Sequence, residues 1–255
     1  MTETGVRSNL TTSMRPHVVA LRNRLVLWLN RDPRSPTIRR NAQDDKNLQL
    51  LLRFTLNDDS NCLDIGANRG LFLQEFVHLA PHGHHIAYEP IPHFAEELRS
   101  MFPTVDVRNR ALSDEDGTAV FTHVDMKGCE AYSGLASNLV VEKIPAEGKL
   151  HLKQLDVPVE RLDSSVREGW LPDFVKIDVE GAELEVLQGA RETLLKARPT
   201  VAFEHDRYSS ATDQIYELLC EQVGLRIFNM DGQGPLDFDT FRRQVGARWN
   251  WVARR

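Results

Sequence analysis

From residue 61 onward, short apolar runs alternate with stretches of helical periodicity, and this rhythm constrains the fold more than any other feature of the chain. The runs at 61–65, 85–88, 105–109, 174–177, 200–203, 225–228 and 249–252 read as strands, and 70–79, 92–101, 182–194 and 212–223 read as helices. Strands that alternate with helices build a mostly parallel central sheet with helices on both faces, so the expected class is α/β.

Two regions depart from the rhythm. Residues 117–173 form an insertion with a hairpin strand at 119–124 and an extended stretch near 155–159. Long insertions in such folds usually sit above the carboxyl ends of the strands and read the substrate. Ahead of the first strand lies an N-terminal helical extension. Residues 1–15 are Thr/Ser-rich and unpatterned; Val18, Leu21, Leu25 and Trp28 recur at helical spacing opposite Arg22, Arg24 and Arg31. That helix either caps the main domain or makes a peripheral membrane contact through its basic face. A second helix is expected over 44–56, with Leu48, Leu51, Leu52 and Thr55 on one side. The organisation read here is an Arg-rich extension at 1–43 followed by one domain at 44–255.

Charge separates these parts. The chain carries a net −6 at neutral pH, with +6 on residues 1–43 and −12 on the rest. An acidic body disfavours phosphate-rich partners, so no nucleic acid is expected. Cys62, Cys129 and Cys220 match neither a zinc spacing nor a disulfide framework, which points to a reducing, cytoplasmic setting. No apolar run is long enough for a transmembrane segment.

The first strand runs through Asp64, Ile65, Gly66, Ala67, Asn68, Arg69 and Gly70 into a helix. Gly66 lets a ligand approach the backbone, and Gly70 stands where a helix N-terminus offers unpaired N–H groups. The spacing Gly-x-x-x-Gly lacks the middle glycine of a dinucleotide loop. Glu89, nineteen residues after Gly70, ends the second strand, where a carboxylate can accept both hydroxyls of an adenosyl ribose. Together, in this order, the two features favour S-adenosylmethionine (SAM).

The blocks LDIGANRG, AYEP, RNRALSDEDG, YSGLASN, FVKIDVEGAELEVLQGA and RPTVAFEH, over roughly residues 60–206, resemble those of the FkbM-type SAM-dependent methyltransferases. The resemblance implies a Rossmann-like class I methyltransferase fold and methylation of a hydroxyl on a small molecule or glycoconjugate (a sugar, glycolipid or polyketide-type acceptor). It also implies that Asp64, Gly66, Asn68 and Gly70 line the methionine end of the cofactor, that Glu89 holds the ribose, and that Asn109, Ala111 and Leu112 border the adenine. Tyr132, Ser133 and Gly134, within a family block, are expected to touch the acceptor.

O-methylation needs the hydroxyl aligned and its proton removed. The fourth and fifth strands end in Asp178, Glu180, Glu204 and His205, which neighbouring tips of a parallel sheet would bring close. His205 is the best general base by ordinary pKa, oriented by Asp178 or Glu204, although it can equally be a hydrogen-bonded strand end. Glu180 either joins the site or caps the following helix. Asp178, Glu204 and His205 also form a set able to hold a divalent metal, Mg²⁺ or Mn²⁺. His82, His84 and His85 sit at the opposite end of the sheet and read as a solvated turn. Trp170 and Tyr208 offer faces for sugar stacking or packing. Two other readings remain at this stage: an RNA-directed methyltransferase that uses the basic extension, and a non-catalytic SAM-binding module.

Overall fold

The computed structural model describes residues 36–124, 134–135, 152–205 and 209–255. The amphipathic helix expected at 18–28, the expected contacts Tyr132 and Ser133, and Tyr208 lie outside them. In chain order the elements are α1 (Pro36–Thr55), β1 (Cys62–Ile65), α2 (Leu71–Leu79), β2 (Ile86–Tyr88), α3 (Pro92–Met101) and β3 (Asp106–Arg108). The insertion follows, with β4 (Ala111–Leu112), β5 (Gly117–Val124), β6 (Gly134–Leu135), β7 (Leu152–Glu160) and the short α4 (Leu162–Ser165). Then come β8 (Phe174–Ile177), α5 (Glu183–Gly189), α6 (Arg191–Ala197), β9 (Thr200–Glu204), α7 (Thr212–Tyr216), β10 (Arg226–Asn229), α8 (Phe238–Val245) and β11 (Asn250–Arg254).

The central sheet has the order β10-β11-β9-β8-β1-β2-β3, and every neighbouring pair is parallel except the two that β11 makes. This is a doubly wound order with one antiparallel strand slotted between the last two parallel ones, a Rossmann-like class I methyltransferase sheet. Its winding reverses between β1 and β8, and ligands of such sheets bind outside the carboxyl ends at that reversal.

Side-chain alternation divides the core in two. Leu63, Ile65, Val175, Ile177, Val201 and Phe203 pack towards α5–α8 with Val186, Leu187, Leu219 and Phe241. Cys62, Phe174 and Ala202 face the other way, towards Leu48 and Leu52 of α1, Phe72 and Phe76 of α2, and Leu98 of α3. By the same two-residue period, Asp64 and Lys176 point to the α1–α2 face. The β1–β8 register makes them direct cross-strand partners.

Strands of the insertion, joined by β4 from just ahead of residue 117, form a second sheet, β4-β7-β5-β6. Its Ala111, Phe121, Val157 and Val159 pack with Ile91, Phe94 and Ala182, so it sits against the loops that follow β2 and β8.

Several expectations need correction. The helix predicted at 44–56 begins at Pro36, so the 43/44 boundary runs through α1. The helix predicted at 182–194 breaks at Ala190 (φ −105°, ψ 3°); the preceding residue, Gly189, lies so close to the Ser113 carbonyl that a Cβ there would stand 1.9 Å from its oxygen. The helix predicted at 212–223 continues past Tyr216 as a π-helical turn, Glu217–Gln222. Helix α8 was not anticipated; Asp237 caps it by accepting a 2.7 Å hydrogen bond from the Thr240 N–H. His85 is buried rather than solvated, with Nδ1 3.3 Å from the Cys62 N–H and Nε2 2.9 Å from the Ala80 carbonyl. Trp170 is a packing residue: it is buried, and its indole donates to the His84 carbonyl at 3.0 Å.

Candidate active site

The loop between β1 and α2 turns on two left-handed glycines, Gly66 (φ 79°) and Gly70 (φ 76°), with Asn68 also at positive φ (47°). At Gly66 the requirement is close approach as well as conformation. A Cβ there would lie 1.9 Å from the Asp178 carbonyl oxygen, so glycine allows the loops after β1 and β8 to meet. The Gly66 and Ala67 N–H groups both donate to the Tyr88 carbonyl, at 3.0 and 3.1 Å, which ties the first loop to the second strand.

Glu89 is 3% exposed, and its two carboxylate oxygens accept from the Asn68 N–H at 2.7 Å and the Ile91 N–H at 2.8 Å. Burial pushes its pKa up to about 7, while those two N–H donors pull it down. A carboxylate has about four acceptor positions. The backbone uses two, leaving one on each oxygen for a ligand. Asn109 donates from its side-chain nitrogen to the Glu89 and Pro90 carbonyls, both at 2.9 Å, and so braces this loop from β3. Ala111 and Leu112 are buried in β4, paired with Val159 and Glu160.

At the β8 and β9 tips, carboxylate oxygens of Asp178, Glu180 and Glu204 lie within 4.8 Å of one another. Glu180 reaches this group from a left-handed backbone (φ 55°), while the N-cap position of α5 is Ala182 and Glu183 accepts the Gly181 N–H at 3.0 Å. His205 does not join them. Its ring is 1% exposed, its Nε2 lies 2.9 Å from the Thr212 hydroxyl, and it stacks on Phe241 at 6.1 Å. Its backbone N–H donates to the Trp249 carbonyl at 2.7 Å, and its carbonyl accepts from the Trp251 indole at 2.9 Å. The expected metal set Asp178, Glu204 and His205 is therefore not what converges: Glu180 takes the place of the histidine. The three are half-buried, acidic groups cluster commonly without an ion, and no metal is assigned to them.

Two residues at this end were not singled out from the sequence. Lys176, with a side chain 8% exposed, places Nζ 3.6 Å from Asp64 Oδ1 and 3.2 Å from Asp178 Oδ2, above the Phe72 ring at 5.3 Å. Burial works to lower its pKa, but Asp178 and Asp64 outweigh that and hold it above the ordinary lysine range. Asp64, 1% exposed, is shifted upward by burial, with Lys176 opposing. Asp45 of α1 reaches the same place, where burial and then the neighbouring Asp178 push its pKa up to about 6. The sequence signal for Lys176 was a cation inside an otherwise apolar strand, two residues before an acid. Asp45 had no such signal.

Helix α1 is held over the strand tips by charge. Arg40 bridges Asp44 at 2.7 Å and Asp231 at 2.8 Å, and Arg248 also bonds Asp231 at 2.8 Å. Arg40, one of the arginines of the basic extension, is thus engaged within the fold. Among the described residues, no helix is long and apolar enough to cross a membrane.

The methyltransferase FkbM domain matches residues 64–226. The 2-O-methyltransferase NoeI of Sinorhizobium fredii is 30% identical over 174 residues, covering 62% of this chain and 66% of NoeI. The AMB antimetabolite synthetase AmbE of Pseudomonas aeruginosa is 29% identical over 190 residues, 62% of this chain but 9% of AmbE. The chain therefore spans less than two thirds of either relative. Among solved structures, the FkbM methyltransferase of Methylobacillus flagellatus aligns with a TM-score of 0.49 at 17% identity, covering 78% of this chain and 44% of that one.

Proposed function

The chain belongs to the FkbM family of SAM-dependent methyltransferases, and we propose that it methylates a hydroxyl of a small molecule or glycoconjugate. The observation that carries this reading is the group of Asp178, Glu180 and Glu204, gathered at the sheet reversal beside the Gly66–Gly70 loop. The O-methyl reading is supported by the similarity to NoeI, named as a 2-O-methyltransferase.

When bound, SAM supplies a methyl group on a cationic sulfur. The residues present suit it: Glu89 retains acceptor capacity for a diol, and the carboxylates at the β8 and β9 tips suit a positive charge. In this reading Asp64, Gly66, Asn68 and Gly70 shape the methionine end, Glu89 receives the ribose, and Asn109 braces the adenine side. Asp178, Glu180 and Glu204 orient the acceptor hydroxyl for in-line attack. The second sheet, to which Gly134 belongs through β6, reads the rest of the acceptor, with Tyr132 and Ser133 just ahead of it in sequence as further contacts. His205 holds the β9 tip in register through its backbone and its bond to Thr212.

The test is transfer of label from [methyl-³H]SAM to a panel of methyl hexopyranosides, with product position read by mass spectrometry. Ether-linked label, absent in an Asp178→Asn variant that still binds S-adenosylhomocysteine (SAH), is the expected result. Label found only on nitrogen or carbon, or none on any member, would overturn the hydroxyl reading.

A further inference from the structure

Helix α1 begins well before the matched residues 64–226, yet it packs directly on the acceptor end of the sheet. Leu48 and Leu52 seat it against the α2 face of the core. Asp45, one turn ahead of Leu48, is thereby turned towards the strand tips. There it lines a cavity of about 30 Å³ with Phe72, Lys176, Asp178 and Glu204. That volume is about the share of one water molecule in the liquid, the size of a single hydroxyl oxygen.

We propose that Asp45 takes the proton of the acceptor hydroxyl, so that a helix outside the matched region supplies a catalytic residue. The inference rests on the O-methylation reading above. As the new C–O bond forms, the hydroxyl proton passes to an Asp45 carboxylate oxygen, and the electron pair of the broken S–CH₃ bond stays on sulfur. The charged groups facing Asp45 are Asp44 on its own helix, Lys176 and Asp178 from β8, and Glu204 from β9; the neighbouring Phe72, Met230 and Asn250 are uncharged. Within this set Lys176 is a positioning residue. Its ammonium pairs with Asp178 at 3.2 Å and limits how far the surrounding carboxylates raise Asp45. A base that titrates just below neutral pH combines ionisation with the greatest basicity available at working pH.

Two measurements test the proposal. The first needs no turnover: ¹³Cγ-aspartate NMR of the SAH-bound protein, with the Asp45 signal assigned by its loss in Asp45→Asn. Titration near pH 6, moving upward in Lys176→Met, supports the proposal; titration near 4, or indifference to Lys176, overturns it. The second is the pH–rate profile on whichever methyl hexopyranoside the wild type methylates. Asp45→Asn is expected to bind SAH as the wild type does, to lose about 100-fold or more in kcat/KM, and to lack the limb that rises through pH 6. Asp45→Glu is expected to keep that limb at reduced rate. An Asp45→Asn variant with wild-type rate and limb refutes the role of Asp45 and leaves O-methylation intact. Failure of the wild type to methylate any hydroxyl removes both.

Discussion

Lys176→Met would expose how the two strand-tip acids depend on one buried cation. Methionine keeps most of the aliphatic stem but removes the ammonium that lies 5.3 Å from the Phe72 ring, 3.6 Å from Asp64 and 3.2 Å from Asp178. Asp178 has a side chain 41% exposed and can recruit water, whereas Asp64 at 1% cannot. The cost therefore falls on Asp64, and deleting one partner of a buried pair typically costs about 3–5 kcal/mol. With a urea slope of about 2 kcal/mol/M, the midpoint should fall by about 2 M at pH 8. The pH dependence has a definite sign. Burial raises Asp64 above its unfolded value near 4, so the folded state holds the proton more tightly and stability drops as pH rises through that window. Without Lys176 the window extends upward, so the variant should be markedly more stable at pH 5 than at pH 8, while the wild type changes less. Asp64→Asn in the Lys176→Met background should recover most of the loss. A midpoint shift below about 0.5 M, the same at both pH values, would refute the reasoning.

Three further outcomes follow from the site. Gly66→Ala must find room for a Cβ 1.9 Å from the Asp178 carbonyl at φ 79°; beyond backbone strain of about 1–3 kcal/mol, it should separate the β1 and β8 loops and weaken SAH binding more than tenfold by calorimetry. Glu89→Gln turns an amide N–H towards one of the two backbone donors, leaving a buried group unmet at a cost of about 1–3 kcal/mol. Because Glu89 titrates at about 7 and, once protonated, one of its oxygens carries a donor and the other accepts more weakly, wild-type SAH affinity should weaken as pH falls below 7 while the glutamine variant stays flat; parallel pH curves would count against a ribose role. His205→Asn should lower the melting temperature but preserve the limb of the pH–rate profile near pH 6, since the imidazole is enclosed by Thr212 and Phe241. Loss of that limb would return His205 to the role of base.

What could be read from the residues followed local patterning. The strand at 174–177 and the helix at 92–101 fall where apolar period and proline placement put them. Gly66, Gly70 and Glu89 were recognisable because a sharp turn and a strand-end acid leave a signature in adjacent letters. Helix α8 escaped because its apolar positions, Phe238, Phe241 and Val245, are diluted by Asp239, Arg242 and Arg243. β4 is two residues long and exists only through its pairing with β7. The partnership of Asp64 with Lys176 needs the β1–β8 register, joining residues more than a hundred positions apart. Asp45 is more distant still, since its place depends on how α1 lies across strands that come later in the chain. Which of the two readings of His205 fits the fold was not legible, because adjacency to Glu204 in sequence becomes opposite sides of a strand tip in space.

The antiparallel strand β11 also has a bearing on how the molecule is made. It lies between β9 and β10, bonded along both. During vectorial synthesis, β9 and β10 emerge first and must wait, each with an open edge, until residue 254 has left the ribosome. Closing such a gap early would place β10 directly against β9 in the wrong register, and an unfilled edge invites pairing between nascent chains. The sheet can close only once β11 is available, and that closure is what sets Asn250 beside Glu204 at the acid-lined tip of β9.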